Sequence, residues 1–185
     1  MGSQSYPKGL VPDHHQILTM GDIRVNVPAV DLTFNPWKGE PIRNAFGGKA
    51  LVDYEGRPML VELAIRALAA QEGWSALWVE TNSRPSGEPF YFIDWKDVPL
   101  SKQVRTPLVN EDIRMLMKSV SLKNGSSYAG CWDVLAWKGS RSVFIESKRR
   151  GKDTIRQTQL NWLSAGLSAG LRSDNFLLAE WDFTE

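Results

Sequence analysis

Cys131-Trp132-Asp133-Val134-Leu135-Ala136-Trp137, then Lys138-Gly139-Ser140-Arg141, then Ser142-Val143-Phe144-Ile145-Glu146-Ser147-Lys148 is the stretch on which the fold turns. Two apolar runs parted by Gly-Ser read as a β-hairpin. A two-residue loop pairs Lys138 with Arg141, and a four-residue loop pairs Trp137 with Ser142. Either register sets Asp133 opposite Glu146. Directly opposed side chains lie ~4.5–5.5 Å apart at Cβ. Alternation puts Asp133 with Leu135 and Trp137, and Glu146 with Phe144 and Lys148. The other face carries Trp132, Val134, Ala136, Val143 and Ile145. Both faces are mostly apolar, so the hairpin is expected to be covered on both sides. Two facing carboxylates there repel each other and resist desolvation. A cation, a shared proton or basic neighbours must compensate. A divalent ion with oxygen ligands fits, because Mg²⁺ is commonly held by one or two carboxylates plus substrate phosphate. A surface hairpin whose acids pair with Lys148 and Arg141 accounts for the same residues without any chemistry.

Downstream, Arg149-Arg150-Gly151-Lys152 is a basic loop, followed by a helix over about 153–169 and a strand over 175–181. Residues 138 to 156 hold seven bases against two acids on a chain of net charge +1. Concentrated charge on a near-neutral protein reads either as a phosphate-facing patch or as a solvated turn. In the helix, Ile155, Gln159 and Leu163 recur at i, i+4, i+8, with Trp162 beside them. Gln159 thus interrupts an apolar stripe, and a glutamine there needs partners. Backbone groups would serve, and so would the Asp133/Glu146 pair.

Upstream, Pro58 at a first helical position and Gly73 past the end predict a helix over 58–72. On it, Glu62 lies four residues before Arg66, which reads as an exposed ion pair or as a site carboxylate. Ser75 to Thr81 reads as a strand. Residues 82–130 read as an insertion: a turn over 82–89, a strand over 90–95, and a helix over 110–123 capped by Asn110. Its apolar stripe, Ile113, Leu116, Met117 and Val120, is core spacing. Residues 1–57 carry Pro7, Pro12, Pro28, Pro36 and Pro41 and read as an irregular arm with a hairpin or two, including short strands at 23–27 and 50–54. His14 and His15 read as exposed loop residues.

The chain has 185 residues, enough for a single domain with a real core. Its apolar fraction of 42% and charged fraction of 23% exclude wholesale disorder. One cysteine, Cys131, excludes an internal disulfide and a cysteine zinc cage, and suits a reducing cytoplasmic or other intracellular setting. No apolar run approaches the ~18 residues of a membrane span, so no membrane partner is expected. Residues 1–12 lack the apolar core of a signal peptide. Eight tryptophans speak for an aromatic core or a stacking surface.

Asp133, then Glu146-Ser147-Lys148, then a basic loop and Thr158-Gln159-Leu160-Asn161-Trp162-Leu163 together resemble the PD-(D/E)xK nuclease superfamily, and within it the VRR-NUC branch. Trp132 precedes the aspartate where the superfamily name has proline. The resemblance implies an α/β fold with a restriction-endonuclease-like core: a mixed central sheet flanked by helices, here residues 58–185, with the 82–130 insertion and the irregular arm 1–57 added. It implies a metal-dependent nuclease hydrolysing phosphodiester bonds, in DNA, at structures such as junctions or flaps. Asp133, Glu146 and the Ser147 carbonyl would hold Mg²⁺ or Mn²⁺. Lys148 would orient or help deprotonate the attacking water, Gln159 would steady that arrangement, and Glu62 would reach a second ion or water. Arg149, Arg150, Lys152 and Arg156 would hold the nucleic-acid backbone, and a homodimer would pair two cuts. The alternative is a non-catalytic nucleic-acid-binding or assembly module of the same fold. A ribonuclease is a third reading.

Overall fold

The computed structural model describes residues 5–82 and 87–185. Along the chain run β1 (His14–Met20), β2 (Ile23–Pro36), β3 (Leu51–Tyr54), β4 (Arg57–Leu60), α1 (Val61–Ala69), β5 (Ser75–Glu80), β6 (Phe90–Phe92), α2 (Glu111–Lys123), β7 (Val134–Lys138), β8 (Arg141–Arg149), α3 (Gln157–Ser168) and β9 (Phe176–Phe183). Among the described residues the strands form a nine-stranded sheet in the order β4-β3-β2-β9-β8-β7-β5-β6, with β1 beside β2. β9 runs parallel to both of its neighbours, β2 and β8, and every other pairing is antiparallel. The expected α/β architecture, a mixed sheet flanked by helices, is thus observed. Among the described residues no helix is long and apolar enough to cross a membrane.

The hairpin β7–β8 closes through the two-residue loop Gly139-Ser140, with Lys138 opposite Arg141 and Val134 opposite Ile145. Gly139 supplies the positive φ, 58°, that such a turn requires. Burial alternates between two cores. Leu135, Phe144, Phe176 and Leu178 join Met117 and Val120 of α2 and Trp162 and Leu163 of α3. Val134, Ala136, Val143, Ile145 and Leu177 join Ala64 and Ile65 of α1 on the other face. Six of the eight tryptophans are buried in these cores or in a third one around Trp78, so tryptophan here is packing material.

The arm over 1–57 is irregular only in part: the short strands expected at 23–27 and 50–54 fall on β2 and β3, β1 and β2 form a hairpin, and β2 runs on to border β9 inside the sheet. The prolines excluded helix and did not exclude strand. Pro28 lies where β2 is paired to β1 alone, and Pro36 ends the strand; both are places where a residue lacking an N–H is tolerated. The helix expected from Pro58 starts three residues later. Glu55 (φ 52°) and Gly56 (φ 77°) make a tight turn, so Pro58 pairs with Asp53 in the hairpin β3–β4 instead. That strand is at the sheet edge, again tolerant of proline. Residues 82–130 add β6 to the sheet and α2 to the helical layer; 83–86 of the expected 82–89 turn, and residues 1–4 of the arm, lie outside the described residues. Asn110 caps α2 as expected, accepting from the Ile113 N–H at 3.0 Å.

One close approach positions the site. At Gly130 (φ 77°) an added Cβ would lie 2.0 Å from the Thr158 carbonyl oxygen, at the start of α3. Two residues on, Trp132 Nε1 donates to the Gln159 carbonyl at 3.1 Å. Gly56 has the same φ but open space around it. Gly56→Ala is therefore expected to cost about 1 kcal/mol, the backbone cost alone. Gly130→Ala is expected to cost at least ~2 kcal/mol, because backbone must also move. Urea unfolding of the two variants measures the difference, and equal losses would show that the approach at Gly130 is loose.

Candidate active site

Beyond Val134 the β7–β8 register carries Asp133 to a position facing Glu146, on the α3 side of the sheet. Asp133 Oδ2 accepts the Ser147 N–H at 3.0 Å, which ties the aspartate to the strand bearing the glutamate. Glu146 is 1% exposed. Its Oε1 accepts from Lys148 Nζ at 2.7 Å and from Gln159 Nε2 at 2.5 Å. The other end of the Gln159 amide, Oε1, accepts the Arg156 N–H at 2.8 Å and so closes the first turn of α3. One side chain thus fixes both the helix start and the carboxylate, a task that needs a donor and an acceptor on the same group.

From the opposite layer α1 brings Glu62, which is 6% exposed. It pairs with Lys49, and Arg66 instead donates to the Ala76 carbonyl at 2.9 Å. The exposed Glu62–Arg66 pair is thereby excluded. So is a surface pairing of the hairpin acids with Arg141, which binds Asp174 instead. Glu62, Asp133, Glu146, Ser147, Lys148 and Gln159 all line one open cleft of about 880 Å³.

Two further residues of this cleft escaped sequence reasoning. Lys49 follows the Gly47-Gly48 turn; only that turn marked the place. Glu80, at the end of the apolar run Ala76-Leu77-Trp78-Val79, is 2% exposed and accepts the Asn82 N–H at 2.7 Å. An acid ending an apolar strand was the available signal.

The basic loop divides. Arg149 is held by Asp182 at 3.1 Å and lies over the ring of Phe183. Arg150 reaches away to Asp31 at 2.7 Å and does not line the cleft. Lys152 and Arg156 are exposed and line it.

Electrostatics follow from this crowding. Burial first, then the neighbouring Asp133, pushes the Glu146 carboxyl well above its ordinary value, against the pull of Lys148. Burial also raises Glu62, opposed by Lys49 and reinforced by Asp133. Burial works to lower Lys49, but the charges of Glu62, Asp133 and Glu146 outweigh it and hold the amine above its ordinary value. Burial and the same two acids, Glu146 and Asp133, push the Cys131 thiol well up, so it is inert packing.

The cleft also has unmet bonding capacity. Oε2 of Glu62 and Oε2 of Glu146 are buried with no hydrogen-bond partner. Buried carboxylate oxygens left over in this way suit a hard cation, Mg²⁺ or Mn²⁺. The Ser147 N–H points to the Asp133 side of β8, and in a strand the carbonyl of the same residue points to the same edge. Asp133, Glu146 and Ser147 therefore fit a divalent ion chemically. Among the described residues Asp13, His14 and Asp31 bring ligand-type atoms within 4.8 Å of one another elsewhere. Those atoms are already engaged: His14 binds Asp13 and Glu180, and Asp31 binds Arg150.

No family model and no curated protein matches the chain. Among solved structures it is similar to the crystal structure of paFAN1 bound to 2nt 5′ flap DNA with gap, at TM-score 0.47 and 12% identity over 86% of this chain. The chain spans 38% of the length of that protein.

In ion-free protein the Glu146 charge opposes folding. A carboxyl raised by folding binds its proton more tightly folded than unfolded. The stability it gives is thus full below the ordinary value of 4.5 and is lost as pH rises through the folded value. Glu146→Gln is expected to raise Tm in EDTA at pH 8, with the gap closing toward pH 4. A lower Tm at pH 8 would show that the charge is compensated within the protein.

Proposed function

We propose that this chain is a metal-dependent nuclease that hydrolyses phosphodiester bonds, in DNA, with branched structures such as flaps or junctions as its substrates. The observation that carries the reading is the convergence of Glu62, Asp133, Glu146, Lys148 and Gln159 on one cleft, with two buried carboxylate oxygens left over. Asp133, Glu146 and the Ser147 carbonyl would hold Mg²⁺ or Mn²⁺. When bound, the ion would supply Lewis-acid stabilisation of charge at the scissile phosphate. Lys148, anchored on Glu146 Oε1, orients the attacking water and offsets phosphate charge from its Nζ. Gln159 holds the Glu146 carboxylate in place, so Lys148 keeps its anchor. Glu62 faces the cleft from α1 and orders water or a second ion. Lys152 and Arg156 hold the sugar–phosphate backbone, contacts that position the strand without reading its sequence. Arg150 is turned to Asp31 outside the cleft, whereas Arg149, held by Asp182, lines it beside Lys152 and Arg156 and would meet the same backbone.

The test is a cleavage panel: plasmid, linear duplex, single strand, flap, four-way junction and RNA, each with Mg²⁺, Mn²⁺ or EDTA. Asp133→Asn, Glu146→Gln and Lys148→Met are expected to lower the rate by roughly a hundredfold or more while staying folded. Full activity in any folded Glu146→Gln protein would overturn the reading. Absence of cutting on every substrate, with metal present, would favour the non-catalytic binding module. Lys152→Ala and Arg156→Ala should each reduce the salt slope of binding by about one. An unchanged slope would place the backbone elsewhere.

A further inference from the structure

The carboxylates of the cleft meet two lysines, and the two contacts are alike. Lys148 bonds Oε1 of Glu146, and Lys49 bonds Oε1 of Glu62. In each case Oε2 is buried and unpartnered. Lys148 reaches its glutamate from two residues away on the same strand. Lys49 comes from a separate element, the turn before β3, where Gly47 and Gly48 stand at φ 68° and 74°. A backbone of that shape favours glycine at both positions, and it delivers the lysine into the cleft. There the amine sits 5.7 Å from the centre of the Trp78 ring, with its side chain 25% exposed. Asp133 and Glu146 are close enough to act on its charge.

We infer that Lys49 is the cleft's resident counter-cation: it holds the Glu62 carboxylate while no divalent ion is bound, and it sets ion affinity by competing for the same carboxylates. The inference rests on the nuclease reading for the presence of a divalent ion in the cleft. Its physical basis is charge. With Glu62, Asp133 and Glu146 ionised, the two lysines cancel most of the negative field. A divalent ion entering meets the remaining field and the repulsion of Lys49. Lys49 is a positioning residue in this scheme, acting through Glu62. Removing its charge strengthens ion binding, whereas removing a mere structural prop weakens it.

Calorimetric titration of the full chain with Mn²⁺ and Ca²⁺, without nucleic acid, separates these cases. Lys49→Met is expected to bind Mn²⁺ roughly tenfold more tightly than the wild type. Lys49→Arg, which keeps the charge, is expected to stay within about threefold of it. Affinity in Lys49→Met that is unchanged or weaker overturns the inference, and so does Lys49→Arg matching Lys49→Met. So does absence of ion binding in both wild type and Lys49→Met. Should the variants fail to fold, hydrogen exchange on the wild type decides. Residues 46–50 should exchange faster once Ca²⁺ releases Lys49 from Glu62, and unchanged exchange overturns the inference. Tighter binding in Lys49→Met with no cleavage of any substrate would sink the nuclease reading and keep the inference. Wild-type cleavage with unchanged affinity would do the reverse.

Discussion

A glutamate carboxyl, Glu146, lies inside a sheet covered on both faces, and the site is arranged around its two oxygens. Leaving an ionised carboxylate alone in such a place is costly, so it must be paired, hydrogen-bonded or neutralised. Lys148 and Gln159 satisfy one oxygen, and the other has no partner. The strand register brings Asp133, a second acid, beside it rather than a second base. Lys49, bonded to Glu62, also feels the charges of Asp133 and Glu146. Two buried carboxylate oxygens, one on Glu146 and one on Glu62, are left without a partner.

One close backbone approach serves this site. Gly130 lets the segment before β7 press on the start of α3, which sets Gln159 against Glu146. Gly47 and Gly48 let a loop lysine enter from the far side of the sheet order. Elsewhere the fold uses ordinary means, with alternating apolar strands, Asn110 as a cap and α2 against α3.

The parts of this arrangement that were legible in the sequence are local ones. Asp133 opposite Glu146 follows from two apolar runs and a Gly-Ser turn, whichever loop length is chosen. Gln159 stands out by its helical spacing to Trp162 and Leu163, although α3 starts at Gln157 and leaves Ile155, the first residue of the expected stripe, outside the helix. Glu62 was visible but ambiguous, since Arg66 four residues on offered an equally good partner; packing of Arg66 against the Ala76 carbonyl removed that choice. Lys49 and Glu80 join the cleft through contacts between distant segments, and the local signals, a glycine turn and an acid ending an apolar strand, do not say what they meet. The start of α1 was misplaced because Pro58 suits a helix start and an edge strand alike. The Glu55-Gly56 turn decided for the strand. In the arm over 1–57 the short strands were legible, but the extension of β2 to Pro36 was not, because its partner β9 lies far along the chain.

The parallel pairing of β2 with β9 has a consequence for how the molecule comes to exist. Residues 29–34 lie against 178–183, so a contact central to the sheet joins segments nearly the whole described chain apart. Closing so long a loop is entropically slow compared with forming the β7–β8 hairpin, whose partners are neighbours. The hairpin bearing Asp133 and Glu146 is expected to form before that pairing. α1, with Glu62, has a complete surface to dock on only after Leu177 and Ala179 of β9 are in place beside Val30. A growing or half-folded chain would therefore carry its acidic pair without its full cleft until β9 is in place.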